Sequence, residues 1–147
     1  MAALIDKDYV ALRVKESDLI ALTETVAAPN VVNETMVNAL IADADAIVLN
    51  ALRGRYKLPA SGTAEAISYL QRLEFDITLY FIYRKTYDDA EMKDVYVAYS
   101  KAHQAINSIQ AGQIEIKGLD LETNDIPHIV LGTRNRRYYS EETLREI

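Results

Sequence analysis

The sequence contains no cysteine and no tryptophan, and only two histidines, two phenylalanines, three prolines and five glycines. Without cysteine there is no disulfide, no thiolate metal ligand and no thiol nucleophile, which fits assembly in a reducing cytoplasm. His103 and His128 lie far apart in the sequence with no second histidine at a ligand spacing, and His103, beside Ala102 and Ile106, reads as a boundary residue of a helix. Gly54 and Gly62 are isolated turn glycines, so no phosphate-cradling loop is present. Long apolar runs are also missing. The best candidate, Ile67 to Tyr83, is broken by Arg72, Glu74 and Asp76, and Asp6, Lys7 and Asp8 stand where a secretory signal needs an apolar run. A soluble protein with no membrane partner is expected. Positive charge is the scarcer sign, with 16 Lys and Arg against 22 Asp and Glu, a formal charge of -6. That balance argues against a protein that clamps nucleic acid, because phosphate binding needs a basic face.

What is present is a globular composition. The chain has 147 residues, 50% of them hydrophobic, enough for one domain with a core of its own. Ten tyrosines favour surfaces that are apolar yet partly wet. Residues 1–15 read as an extended or irregular lead-in, and Ser17 as the cap of a short helix from Asp18 to about Thr25. From Asn33 to Arg53, apolar residues at Val37, Leu40, Ile41, Ala44, Val48, Ala51 and Leu52 recur at three and four, the spacing of one helical face. Asp43 and Asp45 on this helix point about 200° apart, so they cannot share an ion and read as solvated or interface charges.

The organising stretch is Arg53 to Lys85. A turn, Arg53-Gly54-Arg55-Tyr56-Lys57-Leu58-Pro59, precedes a helix opened by Thr63 and apolar on more than one face, which predicts burial by neighbours on several sides. Asp76 lies mid-helix and needs a partner. Arg72, one turn earlier, or Arg53 and Arg55 from the turn, would make a structural ion pair with it. A further helix starts at Asp88, with Glu91 placed for a capping box, and runs to Ala111. Its near-heptad seam of Met92, Val95, Tyr96, Tyr99, Ala102, Ile106 and Ile109 predicts packing on another helix, within the chain or across a subunit boundary.

After Gly112 the pattern changes. Gln113 to Lys117 alternates like a strand, Asn124 to Pro127 reads as a loop, His128 to Leu131 is a short apolar run, and Ser140 caps a last turn. Residues 113–147 have little apolar content for a core and read as an arm that orders on a partner. Its candidate protein-interface residues are Arg134, Arg136, Arg137, Tyr138, Tyr139 and Leu144, since arginine and tyrosine dominate interface hot spots. Carboxylates just downstream favour a protein partner over DNA. Ser17, Ser61 and Ser140 read as caps or turn residues, and no carboxylate pair stands out as acid and base. No catalytic, cofactor-binding or metal-binding residue can be nominated, so no enzyme and no cofactor is expected.

Four segments resemble a family of small proteins of Mu-like phages and prophages found among virion structural proteins. They are Ala42-Asp43-Ala44-Asp45-Ala46-Ile47, the Arg55-Tyr56-Lys57-Leu58-Pro59 turn, Asp76-Ile77 with Tyr80, and Tyr96 through Ala111-Gly112-Gln113-Ile114. Arg137-Tyr138-Tyr139-Ser140 through Leu144-Arg145 is similar to a closing pattern of the family. The resemblance implies an all-α, four-helix bundle-like adaptor domain over residues 1–112. An extended C-terminal arm with short strands and a terminal helical turn would follow over 113–147. It also implies a head–tail connector: a homo-oligomeric ring at the virion neck, a dodecamer, bound by the portal protein and tail-side neck proteins, with DNA only in transient passage. A ring closed head to tail needs two different surfaces on each subunit, and a carboxylate-lined channel would repel DNA and let it slide. On this reading, deleting residues 113–147 should leave a folded bundle that no longer docks. The other reading is a helical regulatory or scaffolding module that binds a cellular protein through its Arg/Tyr-rich tail.

Overall fold

The computed structural model describes residues 3–122. Five helices follow one another: α1 (Lys7–Ala11), α2 (Glu16–Thr23), α3 (Glu34–Leu52), α4 (Ala64–Tyr83) and α5 (Lys93–Gln110). No strand forms among the described residues, and the architecture is all-α and bundle-like. α4 packs against both α3 and α5, α3 also meets α5, and the two short helices cover the outside, α1 on α3 and α2 on α4.

α3 and α4 begin where side-chain oxygens can take up free amides. Asn33 accepts from the Met36 amide and Thr63 from the Ala66 amide, each satisfying a donor the helix itself leaves unpaired. Before α5 the Asp88 carboxylate accepts from the Glu91 amide while the Glu91 carboxylate accepts from the Asp88 amide, both at 2.9 Å. This capping box sits in the turn leading into α5, so the regular helix starts at Lys93 rather than at Asp88. α3 is followed by Gly54 at φ +83°, and α5 by Gly112 at φ +73°, the left-handed positions that favour glycine.

The core runs along α4. Leu70, Ile77 and Ile82 are wholly buried, against Val37, Val48 and Leu52 of α3 and Ala102, Ile106 and Ile109 of α5. Each large aliphatic side chain so buried is worth about 1.5–3 kcal/mol. By length and composition α3 is apolar enough to cross a membrane. Here one face of it lies in the core, while Asn38, Asp43 and Asn50 are exposed on the other.

Besides the start of α5, three local expectations differ from the structure. The lead-in is not irregular throughout, because Asp6 accepts from the Tyr9 amide and starts α1, burying Val10. α2 spans Glu16–Thr23 with Lys15 in the cap position and no side-chain cap, so Ser17 lies inside the helix. Thr23 ends it instead, its hydroxyl donating to the Leu19 carbonyl and accepting from the Asn33 amide. The strand expected over Gln113–Lys117 does not form. The alternation is there, but only Ile116 is buried, and it turns back toward the loop between α3 and α4 rather than pairing with a second strand.

Candidate functional site

Three regions carry polar or aromatic groups that packing alone does not explain. The first is the end of the bundle where α3 stops and α4 begins. The loop there contains a cis Leu58–Pro59 bond and is clasped by residues 116–122. Lys57 donates its amide to the Asp120 carbonyl (2.9 Å), Asp120 to the Ser61 carbonyl (2.8 Å), Thr63 to the Gly118 carbonyl (2.7 Å) and Glu122 to the Arg55 carbonyl (3.1 Å). The Ser61 hydroxyl donates to the Asp120 carboxylate at 2.7 Å. Beneath the clasp Tyr56 is buried, and its hydroxyl accepts from the Ile116 amide. Gly62 permits the close approach. A Cβ there would run into the Gly118 carbonyl and stand 2.8 Å from the Leu119 Cα.

Arg55 works at this end too. One of its Nη atoms donates to the Ile114 carbonyl at 3.4 Å, and its guanidinium stands 5.5 Å from the Tyr56 ring centroid. Arg53 is exposed at the end of α3. Asp76 is half-buried, and burial pushes its carboxyl above the usual range while the Arg72 charge opposes that shift. Among the described residues the ion pair within 4 Å is Lys7–Glu34, at 2.7 Å, so Arg72 acts on Asp76 through space and neither Arg53 nor Arg55 closes on it.

The second region is a pair of acids between α3 and α4. Glu74 is wholly buried and Asp45 nearly so. Neither Glu74 carboxyl oxygen, nor Asp45 Oδ1, completes a hydrogen bond. Burial, and then the Asp45 charge, push the Glu74 carboxyl up to about 8; the Leu4 and Ile5 amides favour its charged form but do not reach hydrogen-bond geometry. Burial also raises Asp45, with the Leu4 amide opposing. Asp45 is therefore not the solvated charge expected of it, although Asp43 is exposed on the opposite face. Residues 3–5 cover the pair, held by Ile5 in the core and by the Gln71 amide donating to the Leu4 carbonyl at 3.0 Å. That each acid faces the core was legible in principle, although their meeting was not. Asp45 falls four after Ile41 and Glu74 four after Leu70, both on core faces.

The third region lies at the opposite end of α4. Tyr80 stacks on Tyr99 of α5 with ring centroids 3.9 Å apart, and Tyr96, Phe81 and His103 extend the cluster. The Tyr80 hydroxyl donates to Asp89 at 3.1 Å, and Arg84 stands 4.4 Å from the Phe81 centroid. The α5 seam is thus covered at Met92 and from Ala102 onward and only partly between them, where Val95 and Tyr99 are half-buried and Tyr96 is exposed. Beside it a groove of about 470 Å³ opens between α2 and the α4–α5 turn. Leu22 and Met92 are buried beneath it; Asp18, Tyr83, Tyr87, Glu91, Lys93 and Asp94 line it. Burial raises the Tyr83 phenol above its ordinary range, with the Asp18 charge adding to the effect.

The candidate interface residues Arg134, Arg136, Arg137, Tyr138, Tyr139 and Leu144 lie outside the described residues, as does His128. His103 packs against Tyr99 and contacts Asn107 at 3.2 Å. No cluster of three metal-ligating side chains occurs among the described residues.

Fold and surfaces together define an all-α, bundle-like protein with two buried acids between α3 and α4 and an aromatic cluster beside an acidic groove. Residues 5–127 match the family described as Bacteriophage Mu, Gp36, and the chain belongs to that family. The matched region takes in all five helices and the clasp, and ends before the Arg/Tyr cluster of the tail. No curated protein matches the chain.

Proposed function

We propose that this phage protein is a non-enzymatic virion structural subunit, a head–tail adaptor that forms a ring at the neck between portal and tail, through which DNA passes. Membership of the Mu Gp36 family supports a structural role in a phage particle. The observation that carries the adaptor reading is the polarity of the bundle. One end of α4 is closed by the clasp from which residues 123–147 continue, and the other presents a half-covered aromatic face and an acidic groove. A subunit with two different ends suits a heterologous contact, the kind that closes into a ring. The formal charge of -6 suits passage of DNA without retention.

The test is the copy number of the protein in purified particles, by quantitative mass spectrometry against the major capsid protein. About a dozen copies is the expectation for one cyclic neck ring. Hundreds of copies would place it in a shell or tail tube, and none would remove it from the virion.

A further inference from the structure

We infer that the groove between α2 and the α4–α5 turn receives the Arg134–Tyr139 segment of a second copy of this chain. This deepens the ring reading and rests on it, supplying the contact from one subunit to the next. Three observations converge on it.

Charge is the first. Asp18, Glu91 and Asp94 outnumber Lys93 around the groove, so the site is anionic. Acidic and basic residues balance within 123–147, so the whole formal excess of negative charge belongs to the first 122 residues. Within that neutral tail, Arg134, Arg136 and Arg137 form a concentrated cationic run followed by Tyr138 and Tyr139. A planar guanidinium is the side chain best matched to carboxylates and rings together, because it bonds the first in a fork and stacks on the second.

Lining chemistry is the second. A groove of similar volume, about 480 Å³, lies between α1, α2 and the start of α3. It too carries carboxylates, but its walls are aliphatic, with Leu19, Val31 and Val37, and Lys7 is already paired with Glu34. The α4–α5 groove offers the rings of Tyr83 and Tyr87, and Tyr87 is exposed. Arginine gains cation–π attraction only at the second of these sites.

Geometry is the third. The chain leaves the described structure at Glu122, hydrogen-bonded to Arg55 at the α4 N-terminal end. The groove is at the α4 C-terminal end, about 30 Å away along a helix of 20 residues. From Glu122 to Arg134 the chain spans at most about 40 Å. Reaching its own groove would stretch that run to about three-quarters of its full length along the bundle, at a cost in conformational freedom. A neighbour placed head to tail brings its groove to the tail without that cost. The resulting contact is heterologous, groove to tail and tail to groove, so every copy in a ring is satisfied.

The absence of cysteine from the chain makes cross-linking a clean test. Full-length Lys93→Cys and Asn135→Cys chains are mixed, oxidised and run on a non-reducing gel, with Val31→Cys replacing Lys93→Cys as the control at the other groove. The expectation is a mixed dimer from Lys93→Cys with Asn135→Cys, well above the Val31→Cys control. Reversing the groove charges with Asp18→Lys and Asp94→Lys in the Lys93→Cys chain should cut that dimer by about tenfold. Arg136→Glu and Arg137→Glu in the tail partner should then restore it. A mixed dimer no stronger than the control overturns the inference. So does a Lys93→Cys/Asn135→Cys double variant that closes within one chain at high dilution. The same oxidation in purified particles separates the two readings. About a dozen copies without the cross-link would leave the ring standing and remove this contact. Absence of the protein from particles would remove the ring itself.

Discussion

The Tyr56 hydroxyl accepts the Ile116 amide hydrogen at 2.9 Å, tying the loop after α3 to the chain just beyond α5 across sixty positions of sequence. Tyr56 is buried and Ile116 nearly so, and the hydrogen bond lies out of water. Removing the hydroxyl leaves the Ile116 amide without an acceptor, a penalty of about 1–3 kcal/mol. Tyr56→Phe should therefore lower the unfolding free energy by an amount in that range, read as a lower urea midpoint with an unchanged m-value. Amide exchange should accelerate at residues 116–119 before it does in α3 or α4.

The clasp also depends on one glycine more than on its neighbour. Gly62 has φ +154° and no room for a Cβ, whereas Gly54 has φ +83° and open space around it. Gly54→Ala should cost about 1–2 kcal/mol, the left-handed penalty alone. Gly62→Ala adds a collision with the backbone of Gly118 and Leu119, so it should cost clearly more and should release residues 116–122. Equal melting temperatures for the two variants would contradict this account.

Truncation should have a sharp boundary. Ile116 and Leu119 are buried, each worth about 1.5–3 kcal/mol, and the backbone bonds of residues 118–122 satisfy the loop. Deleting everything after Gly112 should thus destabilise the bundle by several kcal/mol, a large share of a typical domain's stability. Deleting only 123–147 should leave the melting temperature close to that of the full chain. The expectation from sequence, that removal of 113–147 leaves the bundle sound, overlooks these contacts.

Glu74 sets a pH dependence. Its folded carboxyl, pushed up to about 8, exceeds its ordinary 4.5, so the folded state holds the proton more tightly than the unfolded one. The associated stability is complete below about 4.5 and is lost as pH rises through about 8. Over that window the loss should amount to several kcal/mol, since each pH unit of difference corresponds to about 1.4 kcal/mol. Glu74→Gln keeps the shape and removes the titration. Urea unfolding should find it more stable than the parent at pH 9 and similar at pH 4. An identical pH profile for the two proteins would assign the dependence elsewhere. Asp45→Asn should act in the same direction, because Asp45 is the neighbouring charge that raises Glu74.

The two long central helices were legible from the amino acids because their signals are local. Asn33 and Thr63 announce where α3 and α4 start, and the three-and-four spacing of Val37, Leu40, Ile41, Ala44 and Val48 marks the face that α3 buries. The family was legible in the Arg55–Pro59 turn and the helices flanking it, all inside the matched range. The acid pair was missed for a different reason. Asp76 is the carboxylate central in the helix by sequence, but it is only half-buried while Glu74, two residues away, turns into the core. Two residues on a helix are about 200° of rotation, enough to separate a partly exposed carboxyl from a buried one.

By itself, then, the sequence determined where α3 and α4 start, the apolar face that α3 buries, the glycines that follow α3 and α5, and the exclusion of cysteine chemistry. Each follows from backbone hydrogen bonding and side-chain spacing within a few residues. Only the tertiary structure decided that residues 116–122 close the loop between α3 and α4, that Asp45 and Glu74 share one buried space, and that α5 leaves its first turns beside an acidic groove. These depend on groups distant in the chain meeting in three dimensions. Backbone hydrogen bonds and apolar burial hold the clasp and desolvation raises the two acids, all between groups far apart in the chain, which no local pattern of residues encodes.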